Sequence, residues 1–103
     1  MPTAFVTAPP DAAAEIARTL VDERIAACVN RVPCRSTYRW DGEVHDDDEE
    51  ILLAKTTADA YGDLVERVEA LHPYDVPCIE RFEEEAVLPA FAEWRHESVG
   101  TER

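Results

Sequence analysis

The stretch HPYDVPCIERF, from His72 to Phe82, places an imidazole, a phenol, a thiol and two carboxylates within eleven residues. Imidazole nitrogen and thiolate sulfur bind soft or borderline metals, provided that the donors converge within roughly 2.0–2.3 Å of one point. Pro73 and Pro77 fix the backbone angle φ and therefore stiffen the turn between them. The residue types are compatible with a metal site, with a catalytic site or with a purely structural turn that leads into a strand.

Each candidate residue also has a plainer structural interpretation. His72 lies at the predicted end of a helix, where its imidazole can cap the last carbonyl groups. Cys28 belongs to no CxxC pair, and such a cysteine is most often a small buried side chain. An enzyme with Cys28 as nucleophile and His72 as base is a third interpretation, but the chain shows no oxyanion motif.

The elements that must position these residues begin with a strand and a helix. Thr3–Thr7 is typical of a strand that stops before Pro9 and Pro10. Asp11 can then cap or charge the start of a helix. The apolar residues of this helix recur with helical spacing at Ala13, Ile16, Ala17, Leu20 and Val21.

A long hairpin follows. Ala26–Trp40 alternates like a strand, and Pro33 predicts a bulge or bend in it. Asp41-Gly42 predicts a two-residue turn back into a strand whose segment Ile51–Ala54 is buried. The acidic run at 46–50 has oxygen ligands for Mg or Ca but no EF-hand spacing, so we expect an exposed, solvated edge.

The last part of the chain predicts a second helix, a fourth strand and a short helix. Thr57 can cap the second helix, which ends near His72. Its inward residues are predicted to be Tyr61, Leu64, Val65, Val68 and Leu71. The segment VPCIERF is the fourth strand, and the short terminal helix places Phe91 and Trp94 in the core.

This order predicts one α+β domain over residues 1–103, with a ferredoxin-like βαββαβ fold and an additional C-terminal helix. Two helices would cover one face of a four-stranded antiparallel sheet. The other face would stay bare and the hairpin is long, so we expect a homo-oligomer in which hairpin strands pair between subunits.

The composition excludes several classes of partner. The 103 residues include 23 acidic and 10 basic side chains, a net charge of −13, which disfavours nucleic acid and anionic membranes. Such an acidic surface suits concentrated salt and predicts the cytosol of a halophile.

The N-terminus lacks the pattern of a signal peptide, so we expect a soluble cytoplasmic protein. The 3 cysteines are odd in number and predict free thiols.

Together these motifs resemble the CutA family over nearly the whole chain. The resemblance rests on TAP before the first helix, AACVN at 26–30, YRWDG at 38–42, KT at 55–56, LHPYDVP at 71–77 and Trp94. It implies a tight homotrimer with a role associated with divalent metals such as copper, and it does not imply an enzyme. We therefore predict a weakly bound copper-type ion, no enzymatic activity and no metal requirement for folding. With the acidic composition, the resemblance indicates a haloarchaeal member of the family.

The resemblance also implies the site residues. The predicted metal ligands are Cys28, His72, Cys78 and Glu80. Cys78 stands where the family usually has a carboxylate, and its sulfur favours Cu(I) or Zn over hard ions. An inter-subunit cleft is predicted to contain Asn30, Tyr38, Trp40, Lys55 and Tyr74.

Two questions stay open at this level. Lys55, the lone lysine, can form a structural ion pair or can contact an anion in the cleft. Accordingly, the alternative function is a signalling trimer whose cleft binds a small molecule or a partner, with metal binding incidental.

Overall fold

The chain folds into a four-stranded antiparallel sheet with helices on one face, which confirms the predicted ferredoxin-like arrangement. The computed structural model describes residues 1–100. The sheet order is β2-β3-β1-β4, and every neighbouring pair is antiparallel. The elements are β1 (Pro2–Ala8), α1 (Pro10–Asp22), β2 (Cys28–Trp40), β3 (Glu43–Lys55), α2 (Tyr61–Leu71), β4 (Cys78–Glu83) and α3 (Pro89–Ser98).

The core lies between α1, α2 and one face of the sheet. Because strand side chains alternate, Ala4 and Val6 of β1 point to the same face as Leu52 and Ala54 of β3. All four are fully buried, together with Ile16 and Leu20 of α1 and Leu64 and Val68 of α2. The predicted inner face of α1 is confirmed except for Val21, which is 40% exposed.

The opposite side of the sheet, here called the open face, has no helix over it. The strand registers place these side chains on it: Cys28, Asn30, Val32, Cys34, Ser36, Tyr38, Trp40, His45, Asp47, Glu49, Ile51, Leu53, Lys55, Thr3, Phe5, Thr7, Cys78, Glu80 and Phe82. Apolar members remain accessible, with Val32 43% and Phe82 49% exposed. The predicted bare face is therefore present in the isolated chain.

The hairpin extends beyond the rest of the sheet. β1 pairs with β3 only as far as Glu50, so residues 34–49, here called the hairpin arm, form a two-stranded ribbon. The radius of gyration is 14.1 Å, whereas a compact domain of this length would have about 13 Å. Asp41 and Gly42 at the tip have φ of 51° and 80°, as a type I′ turn requires.

The predicted bulge at Pro33 is wrong. The pairing of β2 with β3 runs one to one from Cys28 opposite Lys55 to Trp40 opposite Glu43. β2 is an edge strand of the sheet, where a missing N–H group is tolerated without a bulge.

Two predicted helix caps also differ from the structure. α1 starts at Pro10 with no side-chain cap bond, so Asp11 adds only its charge to the first turn. Thr57 accepts a hydrogen bond of 3.2 Å from the N–H of Ala60, one residue before α2 begins.

In α3 the predicted core residue Trp94 is 45% exposed, and Phe91 is only partly buried beside it. Arg95 is buried instead, at 1% exposure. Its guanidinium donates to the carbonyls of Pro2 and Thr56 at 3.1 and 3.5 Å and pairs with Glu84 at 3.3 Å. Backbone carbonyls at the start of β1 and just after β3 therefore replace water around this charge.

Candidate functional site

His72 connects the turn after α2 to β1. Its Nε2–H donates to the carbonyl of Thr7 at 2.8 Å, because a carbonyl only accepts, and Nδ1 accepts from the N–H of Tyr74 at 3.2 Å. The ring is 8% exposed and lies 4.8 Å from the Tyr74 ring centre. The suggestion that this imidazole caps the end of α2 is wrong, since its partners are Thr7 and Tyr74.

Cys78 and Glu80 lie beside this turn at the start of β4. They are two residues apart and so share the open face, with Cys78 Sγ 3.8 Å from Glu80 Oε1. Cys78 pairs with Thr7, the same residue that accepts the hydrogen bond of His72. Burial, with the nearby Glu80 carboxylate acting in the same direction, raises the pKa of the Cys78 thiol. Two of the four predicted ligands, His72 and Cys78, therefore lie beside Thr7, and Glu80 lies two residues further along β4, opposite Phe5.

Cys28 lies at the other end of the open face. It is opposite Lys55, which is opposite Thr3, four residues from Thr7 along β1. That separation is about 13 Å along the strands, with about 14 Å more across three strand spacings to β4. Within residues 1–100, no three His, Cys, Asp or Glu side chains are close enough to hold one ion.

A cleft of about 580 Å³ separates the turn after α2 from the open-face side of the hairpin arm. It is lined by Thr7, Ser36, Tyr38, Trp40, His45, Glu49, Pro73, Tyr74, Asp75, Val76 and Cys78. Of the five predicted cleft residues, Tyr38, Trp40 and Tyr74 line it. Asn30 and Lys55 lie outside it, nearer the other end of the sheet.

His45 and Glu49 are cleft residues that the sequence analysis missed. The Asp41-Gly42 turn fixes the register of the arm, which puts His45 opposite Tyr38 and Glu49 opposite Cys34. Counting back from that turn would have found them. Glu49 is 5% exposed, so the expectation of a fully solvated acidic run is wrong at this residue.

The two phenol hydroxyls of the cleft are already bonded to carboxylates. Tyr38 donates to Asp47, and Tyr74 donates to Glu49 Oε2 at 3.1 Å. The bond to Asp47 is the main cause that raises the pKa of Tyr38, whereas burial is the main cause that raises the pKa of Tyr74. Both phenols therefore stay neutral donors at physiological pH.

The other face of β2 and β3, opposite the open face, carries cross-strand ion pairs. Arg31 pairs with Glu50 at 2.7 Å, and Arg35 pairs with Asp48 at 2.9 Å. The bond from Glu50 is the main cause that raises the pKa of Arg31. These arginines lie on the face opposite the cleft and so leave its carboxylates without a cationic neighbour from β2.

None of the helices in residues 1–100 is long and apolar enough to cross a membrane.

Comparison with known proteins links this fold and sequence to one family. The profile of the CutA1 divalent ion tolerance protein matches residues 3–98. The divalent-cation tolerance protein CutA of Thermus thermophilus is 47% identical over 98 residues, which cover 93% of this chain and 95% of that protein.

Solved structures agree with the sequence comparison. The Thermus thermophilus Cut A1 structure has a TM-score of 0.91 at 46% identity, covering 97% of this chain and 100% of that one. The PII-like protein CutA of Nostoc in apo form has a TM-score of 0.93 at 34% identity, covering 97% and 98%. The CutA of Archaeoglobus fulgidus, described as a periplasmic divalent cation tolerance protein, has a TM-score of 0.92 at 32% identity, covering 97% and 100%. The chain therefore belongs to the CutA1 family of divalent-ion tolerance proteins.

Proposed function

We propose that this chain forms a homotrimer that binds a copper-type metal ion on its open face and so contributes to metal-ion tolerance or response. One observation carries the proposal: all three cysteines of the chain, Cys28, Cys34 and Cys78, lie on the open face, partly exposed and free. Thiols that are neither buried in the core nor paired in disulfides are available as soft-metal ligands.

Cys78 and Glu80 form the first half of the proposed site, because their donor atoms are already 3.8 Å apart. His72 would join through Nδ1, whose hydrogen bond from Tyr74 is the longer of its two, at 3.2 Å. Cys28 is too far away within one chain, so a neighbouring subunit would supply it. The metal would then bind the assembled trimer far better than an isolated chain.

The trimer is supported by the unpaired edges of the sheet. β2 and β4 are the two edge strands, and a head-to-tail contact between different edges forms a ring when its rotation closes. The protruding hairpin arm gives β2 the length to reach a neighbour. Exposed Val32, Trp40 and Phe82 would be buried by such a contact.

We further propose that the protein acts by binding and not by catalysis. Cys28 lies opposite Lys55, whereas His72 bonds to Thr7 at the other end of β1, so one chain does not bring Cys28 and His72 together as nucleophile and base. The acidic surface supports a cytoplasmic location in a salt-rich cell. Fractionation of cells that express the native gene tests this location, and a periplasmic pool would contradict it.

Metal titration tests the proposed ligands. We expect Cu(I), handled without oxygen, to bind ahead of Zn and far ahead of Mg. Cys78→Ser, His72→Ala and Cys28→Ser should each lower copper affinity by about tenfold or more. Cys34→Ser is the matched control, because Cys34 lies on the same face with similar exposure but outside the site. Equal affinity in all four variants, each checked for trimer mass, would show that the assignment is wrong.

A further inference from the structure

α3 lies across one end of the sheet. The strand registers bring the start of β1, the end of β3, the end of β4 and the start of β2 to this end. α3 follows β4 there, and the residues after it reach the loop before β2, where the N–H of Gly100 donates to the carbonyl of Arg24 at 3.2 Å. Since β4 and β2 are the two edge strands, α3 connects both edges of the sheet.

Few apolar contacts hold α3 in this position. The helix, which the structure describes in full, contributes none of its residues to the main hydrophobic core, and its Trp94 is 45% exposed. Val99, directly after the helix, is buried in a separate small cluster with Ala27 and Ala60. Elements with few buried apolar contacts open at a lower free-energy cost than elements of the core.

Two arginines provide most of the polar attachment of α3. Arg24 donates to the carbonyl of Glu97 at 2.7 Å. Besides its bonds to two backbone carbonyls, Arg95 places both terminal nitrogens 3.3 Å from one oxygen, Oε1, of Glu84, whereas charge-assisted hydrogen bonds are usually about 2.7–2.9 Å long.

The attachment also leaves polar atoms unpaired. Within residues 1–100, the three buried side-chain atoms without a hydrogen-bond partner in the protein are Arg24 Nε, Arg95 Nε and Glu84 Oε2. A buried ion pair adds net stability only when its geometry is good and its remaining polar atoms are bonded. These contacts therefore favour the attached position of α3 by less than their number suggests.

Glu84 makes the attachment sensitive to acid. Its Oε1 accepts from Thr3 and from Arg95, and within residues 1–100 Arg95 is the charged side chain that pairs with it. The other ionisable side chains of α3 and those beside Glu84 are exposed: Glu83, Glu85, Glu93, His96 and Glu97. Burial raises the pKa of Glu84, but the hydrogen bond from Thr3 and the charge of Arg95 outweigh it and lower that pKa. The attached position is therefore stabilised above pH 4.5, and this stabilisation is lost as pH falls through the lowered pKa.

We propose that α3 is an acid-released strap, which opens as one unit while the sheet, α1 and α2 stay folded, and that protonation of Glu84 favours the open form. Opening would release the end of β4 and, through Val99 and Ala27, the start of β2. The strap rests neither on the proposed trimer nor on the proposed metal site, because the contacts that close it lie within one chain.

Native-state hydrogen exchange of the intact assembly tests the strap, with rates expressed as protection factors that correct for the intrinsic effect of pH. At neutral pH we expect α3 to be protected, but at least about tenfold less than β1. Between pH 6 and pH 3 the protection of α3 should fall by about fivefold or more beyond its neutral value. In Glu84→Gln this fall should be smaller, whereas Glu83→Gln is the matched control and should behave like wild type.

Two further variants separate opening of the strap from unfolding of the whole chain. Val68 of α2 belongs to the main core, so Val68→Ala should speed exchange in β1 by about tenfold or more and change α3 by less than about twofold. Arg24→Gly should speed exchange in α3 by about threefold or more, because it removes the bond to Glu97 while the backbone φ of 58° suits glycine. The wild-type comparison of α3 with β1 keeps the test valid if Val68→Ala fails to fold.

Equal protection of α3 and β1 overturns the proposal, as does an equal response of both elements to Val68→Ala, since α3 would then open only with the whole fold. An unprotected α3 at neutral pH also overturns it, because the strap would never be closed. An acid-dependent fall that is the same in wild type and in Glu84→Gln overturns the assignment of Glu84 as the releasing group.

Discussion

The guanidinium of Arg95 and the carboxylate of Glu84 form an ion pair of 3.3 Å that joins α3 to the sheet, with Arg95 1% exposed. Thr3 donates a second hydrogen bond to the same carboxylate. Burial alone would raise the pKa of Glu84, but the hydrogen bond from Thr3 and the charge of Arg95 outweigh it and lower that pKa. Glu84 is thus a charged group on which folding depends.

Glu84→Gln should lower the free energy of unfolding by roughly 3 kcal/mol, because it leaves the buried Arg95 without its counter-charge. Denaturant unfolding at neutral pH measures the loss. Glu83→Gln is the matched control. The side chain of Glu83 is 56% exposed and pairs with Arg81, and such surface ion pairs contribute at most about 1 kcal/mol to stability. Equal losses in the two variants would contradict the assigned role of Glu84.

The same carboxylate predicts the acid limit of stability. Its pKa in the folded state lies below the ordinary value of 4.5, so its stabilisation is present above pH 4.5 and is lost as pH falls through the folded-state pKa. Thermal melting between neutral pH and pH 3 should show a steeper fall in wild type than in Glu84→Gln. If melting temperature falls equally with pH in both proteins, Glu84 is not a source of the acid sensitivity.

His72→Leu should destabilise the turn by about 2 kcal/mol, since it removes both hydrogen bonds of the imidazole, one to the Thr7 carbonyl and one from the N–H of Tyr74. Hydrogen exchange should show faster exchange at the N–H of Tyr74 and its neighbours. His72→Gln, which keeps a donor and an acceptor, should recover part of the loss. A His72→Leu variant as stable as wild type would mean that these bonds do not hold the turn.

Low salt should weaken the assembly. With a charge of −13 per chain, repulsion between subunits grows as the Debye length rises from about 3 Å at 1 M to about 10 Å at 0.1 M. Melting followed by light scattering at several salt concentrations should show lower melting temperatures and earlier dissociation on dilution of the salt. A melting temperature that stays flat or rises would argue against adaptation to concentrated salt.

Local sequence patterns predicted the elements but not every contact between them. Helical spacing located α1, and Asp41-Gly42 located the turn of the hairpin, because both depend on neighbouring residues alone. The place of Lys55 depends on pairing between distant strands, and the burial of Arg95 depends on carbonyls of Pro2 and Thr56. No local pattern contains that information.

The candidate site shows the same division. The stiff turn from His72 to Cys78 was predictable from its two prolines, whereas the partners of its imidazole were not. The distance between Cys28 and Cys78 follows from strand order, which the predicted fold already contained. Glu49 was assigned to a solvated run because its hydrogen-bond partner, Tyr74, lies far away in sequence.

Metal affinity should rise with pH, because Cys78 must lose its proton to bind. Burial raises the pKa of this thiol, so below that pKa each unit of pH should increase the affinity of a thiolate-bound metal by up to about tenfold. Zinc titrations at several pH values measure the slope. In Cys78→Ser the dependence of affinity on pH should become shallower. An unchanged dependence would show that this thiol is not a ligand.

Mass spectrometry of the purified protein under non-denaturing conditions that retain metal tests the central proposal most directly, because it reports subunit number and bound ion together. The account predicts a mass of three chains that retains copper in wild type and in Cys34→Ser, and three chains without copper in Cys28→Ser and Cys78→Ser. A single chain that retains copper, or a wild-type trimer that retains none after loading, would contradict it.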